Sequence, residues 1–135
     1  MAKIDAARLW ALHYRLISGV IAGVGPAITE LGVDTKELFL LIAMDEHPYP
    51  AELSVVLSIP KPTVTAYLKS LEAAGLVKRE IDSADLRRHR LIVTAAGKKL
   101  QAKGQALLSD GFGKRLQRLS AAEQGELHAL LEKLL

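Results

Sequence analysis

The residues best suited to chemistry in this chain form a basic run, Arg87-Arg88-His89-Arg90, inside a short polar segment. The segment lies between LVKRE and RLIV, which have the composition of short strands, so the whole predicts a β-hairpin with a charged tip. Because charged side chains are costly to bury, the tip is expected to lie in solvent. A projecting basic hairpin suits a polyanion, since phosphate neutralisation releases counterions and supplies affinity. Taken alone, the hairpin fits an ordinary solvated surface equally well.

Two short helices are predicted directly before this hairpin. The first begins at Pro50, which suits the first turn of a helix, and is broken by Ser58-Ile-Pro60. The second begins at Lys61 and stops before Gly75, a glycine of the kind found just beyond helix ends. The predicted buried residues are Leu53, Val56 and Leu57 in the first helix, and Val64, Tyr67, Leu68 and Leu71 in the second.

The opposite face of the second predicted helix carries small or basic side chains with hydrogen-bonding tips. That composition is typical of a helix whose N-terminal half lies in the major groove of DNA. Helix, tight turn, helix and basic hairpin together predict a winged helix-turn-helix, whereas an ordinary αα-hairpin would not need a wing behind it. The residues predicted to contact DNA are Lys61, Pro62, Thr63, Thr65, Lys69, Arg87, Arg88 and His89.

This region resembles the multiple-antibiotic-resistance regulator (MarR) family of bacterial transcription factors. The resemblance runs from about Glu52 to Gly97 and implies a homodimer that binds pseudo-palindromic operator DNA. It also implies that Arg87 reaches the minor groove and that Asp85 braces it. The matching residues, in order, are Thr63-Val-Thr65, Leu71-Glu72, Gly75-Leu-Val77, Arg79, Asp85-x-Arg87, Thr94 and Gly97.

Three positions depart from the family's pattern. Ala66 stands where an arginine is frequent, Ser83 where a proline is frequent, and Leu86 where a basic residue is frequent. These positions bear on base preference and on the conformation of the wing tip. Ala66 also favours the alternative function, a winged-helix protein-interaction module without specific DNA binding.

Length, composition and charge agree with a helical DNA-binding protein. A chain of 135 residues predicts one domain, and a half-apolar composition with 4% aromatic residues favours helices packed through aliphatic side chains. The net charge is only +3, but its distribution is uneven. Seven Lys or Arg and four Asp or Glu lie between Ser58 and Arg90, and the rest of the chain has eleven of each. The whole excess of positive charge therefore lies in the predicted DNA-binding unit.

The flanking segments predict a dimerisation layer. An apolar stripe from about Asp5 to Val24 predicts a helix that ends at Gly25-Pro26, with a short second helix to about Leu31. Asp34-Thr35 signals the start of the next helix, with Leu38, Phe39, Leu41 and Ile42 on its buried side.

At the far end, Thr94 is expected to cap a long helix to about Leu119, and Ser120 with Glu123 forms a capping box for a leucine-rich last helix. We expect both ends to pack against a second copy, giving a C2 dimer with recognition helices about 34–36 Å apart.

The predicted fold class is mainly α with a small β-hairpin wing, a winged helix-turn-helix with N- and C-terminal dimerisation helices. The predicted divisions of one compact domain are 1–33 for the N-terminal dimerisation helices, 34–97 for the DNA-binding lobe and 98–135 for the C-terminal dimerisation helices.

Other classes of function find little support. The chain has no cysteine, which excludes thiol-based redox sensing. Leu16 to Thr29 is free of charge but short for a membrane span, so we expect a cytoplasmic protein without a membrane partner. No catalytic motif and no cofactor site is recognised, and the pair His128 and Glu132 lacks a third metal ligand. We therefore predict that the chain is not an enzyme.

The resemblance further implies that a small aromatic or anionic effector binds between the dimer layer and the DNA-binding lobe. The sequence does not identify the residues that would line such a site. Five larger side chains either line a pocket or fill the core, and we expect the core: Trp10, His13, Tyr14, Phe39 and Met44.

Overall fold

The computed structural model describes residues 2–135, which contain six helices and one antiparallel hairpin. The described residues divide into two compact units, one comprising Gly25–Ala106 and the other the residues up to Val24 together with Leu107–Leu135. The elements are α1 (Ala6–Glu30), α2 (Thr35–Ala43), α3 (Pro50–Leu57), α4 (Lys61–Ala73), β1 (Val77–Ile81), β2 (His89–Val93), α5 (Ala95–Leu116) and α6 (Ala121–Leu134).

The unit Gly25–Ala106 is built around an aliphatic core. Helices α2, α3 and α4 pack against one another, and α4 also contacts β1. Burial of this apolar surface is the main stabilising term for the unit. The fully buried side chains are Ile28, Leu38, Leu40, Leu41, Met44, Leu53, Val64, Leu68 and Leu71.

Local signals define the helix boundaries in this unit. Asp34 accepts a hydrogen bond from the Glu37 backbone N–H at 2.8 Å, and the Glu37 carboxylate accepts one from the Asp34 N–H, which completes a capping box. Pro50 occupies the first turn of α3, as predicted. Gly75 follows α4 with φ +74°, a conformation that glycine adopts without strain. These start and stop predictions are confirmed.

The hairpin is held to the helices at its base. In its register Val77 is opposite Val93 and Ile81 is opposite His89. The Leu91 N–H donates to the Pro48 carbonyl at 2.8 Å, so the segment before α3 lies against β2. Gly97 at the start of α5 has no room for a side chain, because a Cβ there would collide with the Leu76 carbonyl.

Helix α1 differs from the prediction. The helix does not end at Gly25-Pro26, and no separate short helix follows, because α1 continues through Pro26 to Glu30. A proline inside a helix costs about 3 kcal/mol or more. The last turn nevertheless contributes Ile28, which is fully buried in the core of its unit. That burial offsets part of the cost and keeps the chain helical.

Two helices differ from the prediction in which side chains are buried. The sequence predicts Val56 on the buried side of α3, but its side chain is 49% exposed, and Leu53 is the buried residue of this helix. In α2, Leu40 joins the core, while Phe39 and Ile42 are only half-buried.

The unit formed by the chain ends is dominated by helix. The predicted capping box at Ser120 and Glu123 is present. Helix α5 ends at Leu116, three residues earlier than predicted, and the Gln124 side chain donates to the Leu116 carbonyl at 2.9 Å. Gly111 lies against the side chain of Val24, so a larger residue there would displace it.

Large apolar side chains on α1 and α6 remain exposed within the single chain. By length and composition alone α1 passes the criteria for a membrane span, as the core helix of a soluble protein also can. Trp10 and Tyr14 are 67% and 62% exposed and His13 is also exposed, so the expectation that these three fill the core is wrong. The exposed apolar residues of the two helices are Leu9, Trp10, Leu12, Tyr14, Ile17, Leu130, Leu131 and Leu134.

Candidate nucleic-acid interface

Helix α4 has two distinct faces. Val64, Leu68 and Leu71 are buried to 1% exposure or less, which fixes the helix on its core. The predicted contact residues Lys61, Pro62, Thr65 and Lys69 are exposed on the other side, and Thr63 is half-buried. The side chains of Lys61 and Lys69 form no ion pair with any residue in the described part of the chain. Both cations are therefore available to phosphates.

The tip of the hairpin presents Arg87. This side chain is 92% exposed, and its Nε lies 3.3 Å from Asp85 Oδ1. The same carboxylate oxygen accepts a hydrogen bond from the Arg87 backbone N–H at 3.0 Å. Asp85 thus contacts both the backbone and the side chain of Arg87, while most of the guanidinium stays exposed to solvent.

Arg88 and His89, which follow Arg87, do not share its position at the wing tip. The Arg88 guanidinium lies 3.6 Å from the centre of the Tyr49 ring, and its Nη2 is 3.8 Å from Glu52 Oε1. This cation–π and ionic contact directs Arg88 toward the N-terminal end of α3. His89 is exposed and is the first residue of β2 rather than part of the turn, where it is paired with Ile81.

A hydrogen-bonded network anchors the turn end of the wing. The Tyr49 hydroxyl donates to Asp82 Oδ2 at 2.5 Å, and Asp82 Oδ1 accepts from the Ala84 N–H at 2.8 Å. The hydrogen bond from Tyr49 is the main cause that lowers the pKa of Asp82, and the same bond raises the pKa of Tyr49. Sequence reasoning missed Tyr49 and Asp82, because 33 residues separate the two partners.

Two further basic residues of the hairpin are neutralised locally. Arg79 is hydrogen-bonded to the Glu72 carboxylate of α4, and Lys78 lies 3.5 Å from Glu80. Such exposed pairs contribute little stability but reduce the local field. Among the described residues of α4 and the hairpin, Lys61, Lys69 and Arg90 form no ion pair, whereas Arg87 and Arg88 each lie near one carboxylate.

The described residues include no candidate metal site. His128 lies 3.8 Å from Glu132, and within residues 2–135 no group of three or more His, Asp or Glu side chains is placed to hold a metal ion.

The arrangement of α3, α4 and the β1–β2 wing defines a winged helix-turn-helix protein. Residues 31–88 match the sequence profile of the MarR family. A relative named HTH-type transcriptional repressor Rv2887, from Mycobacterium tuberculosis, is 30% identical over 136 residues, covering 99% of this chain and 98% of the relative. The chain therefore belongs to the MarR family of transcriptional regulators.

Solved structures confirm the predicted fold class. A crystal structure of Rv2887 in complex with p-aminosalicylic acid superimposes with a TM-score of 0.78 at 29% identity, covering 93% of this chain and 97% of that one. A mutant of MarR from E. coli, crystallised with operator DNA, gives a TM-score of 0.77 at 23% identity and covers 95% of this chain and 94% of that one. At 23% identity, the similarity to E. coli MarR is evidence for the fold and not for the function.

Proposed function

We propose that this protein binds pseudo-palindromic operator DNA as a homodimer and represses transcription until a small effector is bound. The observation that carries the proposal is one lobe with two cationic elements: the exposed face of α4 and the wing arginine held by Asp85. The former supplies groups for a major groove and the latter a guanidinium for a minor groove. Membership of a family that includes an operator-bound member supports the same conclusion.

The homodimer follows from the exposed apolar faces of α1 and α6. These helices contain too many exposed leucine and aromatic side chains for an isolated surface. In a C2 dimer, the apolar faces of α1 and α6 pack against the same faces of a second copy. The dimer then has the two-fold symmetry that a pseudo-palindromic operator requires. Because its ligand is DNA, we place the protein in the cytoplasm.

A cleft with both polar and apolar walls in the unit Gly25–Ala106 is our candidate for the effector site. It has a volume of about 460 Å³, within the usual range for small-molecule sites. Lys99 and Lys103, one turn apart on α5, line it together with Glu30, Leu31 and Leu76. Two ammonium groups against one carboxylate favour a small anion, and the Rv2887 complex shows that a relative binds an aromatic carboxylate.

Selection of bound duplexes from a random pool tests the DNA-binding part. We expect an enriched pseudo-palindrome, with half-site centres about one helical turn apart, and a steep fall of affinity with salt. A shallow salt dependence without an enriched sequence would instead favour the protein-interaction module that Ala66 suggested.

Thermal shift and operator release with p-aminosalicylate test the effector part. The ligand should raise Tm, because it binds the folded state, and should weaken operator binding. Lys103→Ala should abolish both effects, while Lys36→Ala, which removes an exposed cation from α2, should leave both unchanged. Equal responses in the two variants would place the effector elsewhere.

A further inference from the structure

The outward face of α4 has an apolar centre. Pro62, Thr65 and Ala66 are all exposed and have the i, i+3, i+4 spacing that places side chains on one helix face. Lys61 lies beside Pro62 at the N-terminal edge of this patch, and Lys69 lies one turn beyond Thr65. The patch is therefore a small methyl-bearing surface between two flexible cations.

The centre of the α4 face lacks the side chains that read bases through paired hydrogen bonds. The whole chain contains no asparagine, and glutamine is absent from residues 34–97. Helix α4 also contains no arginine. Bidentate contacts to adenine use Asn or Gln, and those to guanine use Arg or Lys. Lys61 and Lys69 lie at the edges of the patch, so its centre makes neither kind of contact.

The one hydroxyl group in the patch is already engaged. Thr65 Oγ1 donates to the Lys61 backbone carbonyl one turn earlier, at 3.0 Å. This bond uses the hydroxyl proton within the helix and leaves the γ-methyl as the other branch of the exposed side chain. Thr65 therefore has no hydroxyl proton to donate to a base, and its γ-methyl extends the apolar surface formed by Ala66 and the ring of Pro62.

In the major groove, the C5-methyl of thymine is the apolar feature of the base edges. We infer that the α4 patch of Pro62, Thr65 and Ala66 reads thymine methyl groups, so that each operator half-site carries A·T pairs where this patch meets the groove. Lys61 and Lys69 bind the flanking phosphates. This inference rests on the proposed function and names the base class that α4 selects.

The test replaces thymine by deoxyuridine in the selected operator, one position at a time. This change removes the C5-methyl from the major groove and leaves the minor groove, where the wing arginine is proposed to bind, unaltered. At one or two positions in each half-site we expect affinity to fall about fourfold, the equivalent of one buried methyl group. Uracil elsewhere in the site should have no effect.

Two variants assign the effect to the patch. Thr65→Ser deletes the γ-methyl but keeps the hydroxyl that bonds Lys61, so the fourfold preference for thymine over uracil should disappear at one position. Lys69→Ala is the matched control, and it should weaken binding to the thymine and uracil duplexes by the same factor. Retention of the preference in Thr65→Ser would overturn the role of Thr65.

The outcomes separate this inference from the proposed function. A selected operator that is bound specifically but is insensitive to uracil at every position, or that has G·C pairs opposite the patch, overturns methyl readout and leaves DNA binding intact. Failure to select any sequence overturns both.

Discussion

Arg87 presents an exposed guanidinium at the end of a short hairpin. Arg87→Ala should weaken operator binding by about 1–3 kcal/mol, the scale of a hydrogen bond to a charged group. The slope of log affinity against log salt should fall by about one unit, because one positive charge is removed from the DNA-bound surface. The Tm should be unchanged, since the side chain is 92% exposed.

Binding titrations at several salt concentrations measure both quantities. Arg8→Ala is the control, because it removes the same charge from an exposed position on α1. An equal loss of affinity in both variants would mean that net charge alone drives binding and that Arg87 has no specific contact.

The variant Asp85→Ala distinguishes two roles for Asp85, one in which it orients Arg87 and one in which it only contributes negative charge. Removing its negative charge should tighten binding to DNA if only net charge matters. If Asp85 orients Arg87 through the two hydrogen bonds it accepts, Asp85→Ala should weaken operator binding instead. Glu80→Ala, which removes an exposed carboxylate from the same hairpin, should tighten binding slightly. Tighter binding by both variants would rule out the bracing role.

At the scale of elements, the wing is attached to the helices through Tyr49. Tyr49→Phe deletes the hydroxyl that donates to Asp82 and keeps the ring beneath Arg88. We expect faster amide hydrogen exchange at residues 82–89, unchanged exchange in α2 and α4, and weaker operator binding. Tyr14→Phe, which alters an exposed ring on α1, is the control. Unchanged exchange in the wing would show that the hydroxyl does not anchor it.

The same bond predicts how the wing responds to pH. Because the pKa of Asp82 lies below its ordinary value of 3.8, its contribution is complete above that value and is lost as pH falls through the lowered pKa. The pKa of Tyr49 is raised, so its contribution is complete below pH 10.0 and is lost as pH rises through the raised pKa.

Amide protection factors in the wing, which correct the exchange rates measured by NMR for the intrinsic pH dependence of exchange, should therefore be flat between these limits and decrease outside them. In Tyr49→Phe the pKa of Asp82 should move upward, though not to its ordinary value, since backbone N–H groups still donate to the carboxylate. An unchanged Asp82 titration in this variant would contradict the assignment.

For the whole molecule, the exposed leucines of α6 require a partner. We expect a dimer at micromolar concentration by light scattering, and loss of the dimer or of the soluble fold when residues 120–135 are deleted. Leu130→Lys should give a folded monomer, because it places a charge on the apolar face without disturbing a buried side chain. Glu132→Gln, which raises the net charge by the same amount, should remain dimeric. A monodisperse monomer of the full chain would overturn the dimer.

Features that depend on neighbouring residues were predictable. The capping boxes at Asp34 and Ser120 and the glycine after α4 were predictable because each involves groups within a few residues. The buried stripe of α4 and the wing arginine with its carboxylate were predictable for the same reason, since helical and hairpin spacings are fixed by backbone geometry. Together these local features were sufficient to predict the winged helix-turn-helix.

Two features could be seen only in the tertiary structure: the end of α1, where local signals conflict, and the contacts between residues that are far apart in sequence. Proline at position 26 predicts a helix end, but burial of Ile28 in the next turn keeps α1 continuous. The bond between Tyr49 and Asp82 exists because folding brings the segment before α3 against β2. The Arg88 guanidinium lies over the Tyr49 ring, whereas Arg87, which has the same side chain, is 92% exposed. A sequence reports spacing along the chain, whereas these contacts depend on distances that arise only when the core has closed.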